Sequence, residues 1–151
     1  MKRELSIIEW HQMAQQGDAP PVRIQLNGSS MEPLIRIGQD YVTIVHMEGF
    51  PGIGDIVLFS DPEKEARYVV HRVWKTKKGK VLTWGDNCPK PDGWISEDYI
   101  WGKVVLIERG KRTIKPHPQT GMILAFFWHQ AMKVYRIRER IKKKLGYKNT
   151  Q

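Results

Sequence analysis

Apolar positions near the N-terminus recur at the spacing of an α-helix. Ile7, Trp10, Met13 and Ala14 lie three or four residues apart, and the stretch "DAPP" follows them directly after Gly17. Ser6 and Glu9 have the spacing of a capping box, in which each side chain accepts a hydrogen bond at the start of the helix. The pattern predicts a short helix over residues 7–16.

From Val22 onward the period of the apolar positions changes to two. The runs are "VRIQL", "DYVTIVHM", "GDIVLFS", "RYVVHRVW", "KVLTWG" and "IWGKVVLIER", and Gly, Pro and Asp separate them. Short alternating runs rich in β-branched and aromatic residues are typical of strands. They predict a mainly β domain over residues 22–115 with six strands or more, in which "GDNCPKPDGWISED" forms a longer ordered loop.

Beyond "KPHPQT" the helical period returns between Met122 and Lys144. One side of this predicted helix is apolar, with Ile123, Phe127, Ala131 or Gln130, Val134, Ile137, Ile141 and Leu145. The chain thus divides into an N-terminal helix and linker (1–21), the β domain (22–115), and a linker with a basic amphipathic helix (116–151). With 151 residues, we expect one compact unit.

Charge is concentrated in the C-terminal helix. The chain carries a net charge of +9, and the segment 133–148 contains eight Lys or Arg against one acid, Glu139. A basic amphipathic helix suits an anionic membrane surface, here through residues 122–145. The alternative is that its apolar side packs on the β domain or on a second subunit in a homo-oligomer.

Neither a secretory signal nor a transmembrane segment is predicted. Only Ile7 and Ile8 stand where a signal peptide needs a longer apolar run, and no window approaches the ~18 apolar residues that span a bilayer. We expect a cytoplasmic or peripheral membrane location. One short helix before Val22 is not a helix-turn-helix, so sequence-specific nucleic-acid binding is not expected.

Cysteine and histidine usage predicts no metal and no cofactor. Cys88 is the single cysteine, so neither an intrachain disulfide nor a cysteine zinc site can form. His11, His46, His117 and His129 lack metal-ligand spacing. A lone thiol in a loop is more often incidental than nucleophilic.

Five blocks carry the functional signal, and each alone is typical of an ordinary turn or strand. In chain order they are "GSSMEPLIRIGQDYVTI", "GIGDIVLF", "YVVHRV", "LTWGDN" and "IWGKVVLI". Together they resemble the serine peptidase superfamily of signal peptidase I and the SOS repressors, over about residues 26 to 107. The resemblance implies a LexA/signal-peptidase-like β domain that cleaves peptides.

In that superfamily the serine before the methionine is the nucleophile, which corresponds to Ser30. The position of the base is His71, as in the branch resembling endoplasmic-reticulum and some Gram-positive signal peptidases. A hydroxyl needs an adjacent base, and a neutral imidazole can serve near pH 7. His71 shares its strand face with Val69 and Val73, whose apolar surroundings predict a lowered pKa. The alternative is a structural histidine at the edge of the core.

Two carboxylates are candidates for orienting the imidazole. The resemblance favours Asp92, while Asp86 is the alternative acid or, more simply, an Asx turn that shapes the loop. The oxyanion is assigned to the backbone N–H of Ser30, because Gly28 stands where many signal peptidases have Ser or Thr.

Gly28, Met31 and Pro33 are candidate substrate-binding residues of the same loop. Met31 and Pro33 also have a structural interpretation, in which Met31 packs beneath the loop and Pro33 stiffens it.

The sequence therefore predicts a serine endopeptidase that cuts an extended leader, preprotein or signal-like peptide. The alternative is a non-catalytic module with a peptidase-like β scaffold. Its basic helix would recruit a partner, a membrane or nucleic acid without sequence specificity.

Overall fold

Two helices flank one antiparallel sheet in the computed structural model, which describes residues 6–145. The fold is mainly β, as the period-two runs predicted. The strands are β1 (Val22–Gln25), β2 (Asp40–His46), β3 (Ile56–Ser60), β4 (Tyr68–Lys77), β5 (Lys80–Trp84), β6 (Gly93–Ser96), β7 (Ile100–Arg109) and β8 (Arg112–Ile114). The helices are α1 (Ile7–Gln15) and α2 (Pro118–Lys144).

Helix α1 begins at the predicted capping box. The Ser6 hydroxyl accepts a hydrogen bond from the Glu9 backbone N–H at 3.2 Å, and the Glu9 carboxylate accepts one from the Ser6 N–H at 3.0 Å. Trp10 is fully buried, and its indole N–H donates to the Pro20 carbonyl at 2.7 Å. This helix therefore closes one side of the core.

The strands follow the order β1-β2-β7-β3-β4-β5-β6, with β8 paired to β7. All pairs are antiparallel. The interior falls into two clusters, one around Trp10, Ile44 and Ile107 and the other around Phe59 and Val73. Because β3 supplies Leu58 to the first cluster and Phe59 to the second, alternate residues of one strand join the two halves of the core.

Gly102 lies at a point where α1 packs closely against the sheet. A Cβ at this position would stand 2.6 Å from Ile44 Cγ2 and 2.9 Å from Trp10 Cη2. The sequence alone does not indicate this requirement, since a glycine in a strand more often marks a bulge.

Two strands were missed. The stretch "GDNCPKPDGWISED" is not wholly a loop, because β6 and a 3₁₀ turn at Glu97–Tyr99 lie within it. Strand β6 has four residues and buries only Ile95, so its alternation is too short to register as a pattern. Strand β8 has three residues and forms a hairpin with β7.

Helix α2 begins at Pro118, four positions before the predicted start. Proline suits the first turn of a helix, where its missing N–H has no partner to lose. Ala125 and His129 are the buried residues of α2, while the predicted apolar side is exposed. Lys148 and the rest of the predicted basic segment past residue 145 lie outside the described residues. Within those residues, neither helix has the length and apolar character needed to cross a bilayer.

Candidate active site

Ser30, His71 and Asp92 come from three separate segments and line one cleft. Ser30 lies in the turn after β1, His71 in β4, and Asp92 in the loop between β5 and β6. The cleft has a volume of about 850 Å³. Gly28, Ser29, Asn87 and Cys88 also line it.

Asp92 holds one nitrogen of the imidazole. His71 Nδ1 and Asp92 Oδ2 are 2.6 Å apart, and the Thr83 hydroxyl donates to the same carboxylate oxygen at 2.9 Å. His71 is only 4% exposed, whereas the Asp92 side chain is 26% exposed, so the contact is partly shielded from water. The ring orientation is therefore set by a carboxylate that is itself held by a neighbouring strand.

The protonation state of His71 differs from the prediction. Burial acts to lower the pKa of His71, but hydrogen bonding to Asp92 and to the Cys88 thiol outweighs it and raises the pKa to about 9. The expectation of a lowered pKa was wrong, because it counted the apolar neighbours and not the carboxylate partner. Near pH 7 the imidazolium is the favoured form.

The hydroxyl of Ser30 makes no hydrogen bond within residues 6–145, so it is not bonded to His71. The backbone N–H of Ser30 also has no partner in this part of the chain. Both serines lie in a turn beyond the end of β1. The alternation of strand faces therefore does not decide which hydroxyl points into the cleft.

Gly85 packs against three groups of the site at once. A Cβ there would lie 2.8 Å from His71 Nε2, 2.8 Å from the Ser30 carbonyl oxygen and 2.7 Å from Cys88 Sγ. Atoms that crowd one point in this way must also be close to each other. Ser30, His71 Nε2 and the thiol therefore converge at a position where a side chain on residue 85 would collide with them.

Asn87 and Cys88 are site residues whose roles the sequence analysis did not predict. The Asn87 backbone N–H donates to the Ser30 carbonyl at 2.8 Å, and its side-chain amide donates to the Ser29 carbonyl at 3.3 Å. Asn87 thus ties the serine turn to the loop that carries Asp92. The motif "GDN" marked this loop, but nothing in the sequence indicated that Cys88 lies beside the imidazole.

The alternative acid, Asp86, pairs with Arg72 and not with His71. It accepts two hydrogen bonds from the Arg72 guanidinium, at 2.9 and 2.7 Å, and Arg72 also donates to the Gly54 carbonyl at 3.1 Å. Since His71 and Arg72 are consecutive in β4, their side chains leave on opposite faces, and Asp92 and Asp86 serve one face each. The Asx-turn interpretation of Asp86 is also wrong, because no backbone N–H within residues 6–145 donates to its carboxylate, and the Cys88 N–H donates to the Gly85 carbonyl instead. An arginine inside the apolar run "VVHRV" was the signal that a buried partner exists.

Of the three predicted substrate-binding residues, only Gly28 lines the cleft. Met31 is fully buried in the core and supports the turn from beneath, so it cannot reach a substrate. Pro33 follows a cis peptide bond and lines a separate cavity of about 490 Å³ under α2. Met31 therefore packs beneath the loop, as its structural interpretation predicted, whereas Pro33 lies outside the cleft.

Unpaired strand edges lie along both sides of the cleft. In the described chain β1 pairs only with β2, and β4 pairs with β5 only from Arg72 onward. Ile24 and Gln25 of β1 and residues 68–71 of β4 line the cleft. Each edge presents free backbone N–H and carbonyl groups, to which an extended peptide can add as a further strand.

Among the described residues, no group of three or more His, Cys, Asp or Glu side chains is arranged to hold a metal ion. His11 stacks on Trp101, and His129 packs against Trp84 and Trp74. A scan against models of protein families finds no match to this chain, and a search of curated proteins finds none either.

Proposed function

We propose that the protein is a serine endopeptidase of the signal peptidase I type, with a LexA-like β domain, that cleaves an extended leader or signal-like peptide. The main supporting observation is the partly buried His71–Asp92 pair in a cleft that also contains Ser30 and lies between two unpaired strand edges. The order of the sequence blocks supports the same assignment.

In the proposed mechanism the substrate adds to the edges of β1 and β4, so that its scissile carbonyl lies beside Ser30. Neutral His71 takes the hydroxyl proton on Nε2 while Ser30 Oγ bonds to the carbonyl carbon. The resulting oxyanion accepts a hydrogen bond from the free backbone N–H of Ser30. When the peptide C–N bond breaks, His71 returns the proton to the leaving amine, and water then hydrolyses the acyl-enzyme with His71 again as base.

Asp92 is a positioning residue in this scheme, since it touches His71 and not the substrate. Its carboxylate holds the proton on Nδ1, leaves Nε2 facing Ser30 and Cys88, and stabilises the imidazolium after proton transfer. Substrate entry has to bring the Ser30 hydroxyl to Nε2, because catalytic hydrogen bonds are often formed only in the substrate complex.

The test compares cleavage by wild type, Ser30→Ala and Ser29→Ala on a fluorogenic library of extended peptides with small residues at the cut site, with and without lipid. We expect Ser30→Ala to lose about 10³-fold or more in kcat/KM. Ser29→Ala is the matched control, because it removes a hydroxyl from the same turn, and it should stay within about threefold of wild type.

No serine-dependent cleavage by wild type under any of these conditions would refute the proposal. Loss of activity in Cys88→Ala with full activity in Ser30→Ala would instead assign the nucleophile to the thiol.

The alternative function is a module that binds an extended peptide without cutting it. Two observations favour it: the Ser30 hydroxyl is not bonded to His71, and the pKa of His71 is raised to about 9. Under this alternative, wild type and Ser30→Ala bind library peptides equally and neither releases a product.

A further inference from the structure

The outer face of helix α2 is apolar and covered by no other part of the described chain. Six exposed side chains follow one line along the helix: Ile123, Phe127, Val134, Ile137, Ile141 and Leu145. Each is between 47% and 69% exposed. Gln130 interrupts this line once, but monomeric proteins seldom expose so many apolar side chains along one face, so the face indicates an interaction surface.

The inner face of α2 accounts for its contact with the β domain. Ala125 and His129 are buried, and Arg136 donates to the Asn87 carbonyl at 3.1 Å. At about 100° per residue these three positions lie opposite the line through Ile123 and Phe127. The helix therefore packs on the domain through a narrow stripe, and most of the apolar line points away from the domain, with Ile137 at its border lining a groove that Pro89 also lines.

Cations border the apolar line on both sides. On the helical wheel Lys133 and Lys144 lie along one edge of it, and Arg138 and Lys142 lie along the other. Seven Lys or Arg stand between Lys133 and Lys144, against the single acid Glu139. Long basic side chains beside an apolar strip can keep their charges at a lipid headgroup while the strip enters the acyl boundary.

The combination of apolar and basic side chains distinguishes between the possible binding partners of this face. A second copy would place another seven cations against the first seven, with one acid on each helix to offset them. Nucleic acid would satisfy the cations but leave the apolar line in water. An anionic bilayer satisfies both sets of groups, and the cations in the C-terminal half favour a helix that lies along the surface.

We infer that the outer face of α2 docks on the surface of an anionic lipid bilayer. This inference does not depend on the proposed peptidase activity. It also places the cleft close to lipid, because Pro89 lines both the cleft and the groove beside Arg136 and Ile137 of α2. A membrane-bound α2 is thus separated from the cleft by the single loop that carries Cys88 and Asp92.

Vesicle flotation of the full chain tests the inference, with phosphatidylcholine vesicles that contain or lack about one-fifth phosphatidylserine. Wild type should float with the anionic vesicles and stay with the soluble fraction when the lipid is neutral. Phe127→Ser/Val134→Ser should weaken binding about tenfold or more, because two of the most exposed apolar side chains of the outer face are removed. Lys133→Gln/Arg138→Gln should weaken it by a similar factor.

Each variant has a matched control. Ile37→Ser/Phe50→Ser removes two exposed apolar side chains outside α2, and Lys77→Gln/Lys78→Gln makes the same charge change at the β4–β5 hairpin. Both controls should bind as wild type does, and circular dichroism should show the same fold throughout.

Three results would overturn the inference. They are no flotation of wild type with anionic vesicles, equal binding to neutral vesicles, or unchanged binding of the two α2 variants. A dimer in light scattering that Phe127→Ser/Val134→Ser dissociates, in a protein that does not float, would assign the face to a second copy.

Discussion

His71 experiences two opposing influences in the cleft. Burial favours the neutral ring, whereas Asp92 and Cys88 favour the cation, and the pKa is raised to about 9. A general base works only in its neutral form, so the site is held mostly in the inactive protonation state at neutral pH. The same pair that orients the ring therefore limits the fraction of molecules ready to react.

The proposed role of His71 as a base makes the rate of cleavage depend on pH. If His71 is the base, kcat/KM should rise with pH through neutrality, reach half of its maximum near pH 9, the pKa of His71, and level off above that pH. Asp92→Asn removes the carboxylate, so the rise should move to lower pH while the maximal rate falls about 10³-fold or more, because the ring loses its orientation. Cleavage of a peptide substrate between pH 6 and 10 measures both effects.

The same pair makes stability depend on pH. The folded-state pKa of His71 lies above its ordinary value of 6.5. The contribution of this group to folding stability is therefore complete below pH 6.5 and is lost as the pH rises through about 9. The contribution amounts to about 3–4 kcal/mol at most, at about 1.4 kcal/mol per pKa unit. Urea unfolding of wild type should show this decline, and a decline of the same size in Asp92→Asn would contradict the assignment.

Cys88 affects both the pH dependence of cleavage and the sensitivity of the site to alkylation. Cys88→Ala removes one of the groups that raise the pKa of His71, so the rise of kcat/KM should begin at lower pH. Iodoacetamide should inactivate wild type, because the thiolate displaces iodide and the added group fills the cleft beside His71 Nε2. Cys88→Ala should resist this reagent. Equal inactivation of the two proteins would place the sensitive group elsewhere.

At the scale of elements, the Arg72–Asp86 pair joins β4 to the loop that begins after β5. Both side chains are almost fully buried, and Arg72 also reaches Gly54 in the turn before β3. This contact and the His71–Asp92 contact leave opposite faces of β4 and end in the same loop. The loop is therefore held at both of its ends, with Asn87 and Cys88 between them.

Asp86→Asn should destabilise the fold by about 3–5 kcal/mol, because it leaves a buried guanidinium without a counter-charge and turns an amide donor toward it. Glu108→Gln is the control, since the Arg23–Glu108 pair is largely exposed and should change stability by less than about 1 kcal/mol. Chemical denaturation of the two variants measures the difference, and equal losses would contradict this assignment of the buried pair.

At the scale of the whole molecule, two helices of different character border one sheet. Helix α1 is short and inserts Trp10 into the first core cluster, whereas α2 is long and touches the β domain by a narrow stripe. Stability thus depends on α1 more than its nine residues suggest. Most of the surface of α2 stays available for contact with a partner.

Trp10→Ala should cost about 3–5 kcal/mol of folding free energy, because a large side chain is removed from a fully buried position. Ile8→Ala, at a half-exposed position of the same helix, should cost less than about 1 kcal/mol. Thermal unfolding followed by circular dichroism compares the two. A small loss in Trp10→Ala would show that α1 is not part of the cooperative core.

The sequence by itself determined the elements with strong local signals. The capping box located α1, the period-two runs located six strands, and the order of the blocks singled out Ser30 and His71. These features depend on neighbours within a few residues, which the pattern records directly. Strands β6 and β8 were missed because three or four residues show too little alternation.

Only the tertiary structure decided how these groups meet. The separation of Asp92 from Asp86 depends on the two faces of β4, and the raised pKa of His71 depends on Asp92, which lies 21 positions away in the chain. The exposure of the predicted apolar side of α2 depends on which face of the helix packs against the β domain. Each outcome is a balance between groups that are distant in sequence, and hydrophobic periodicity contains no information about such pairings.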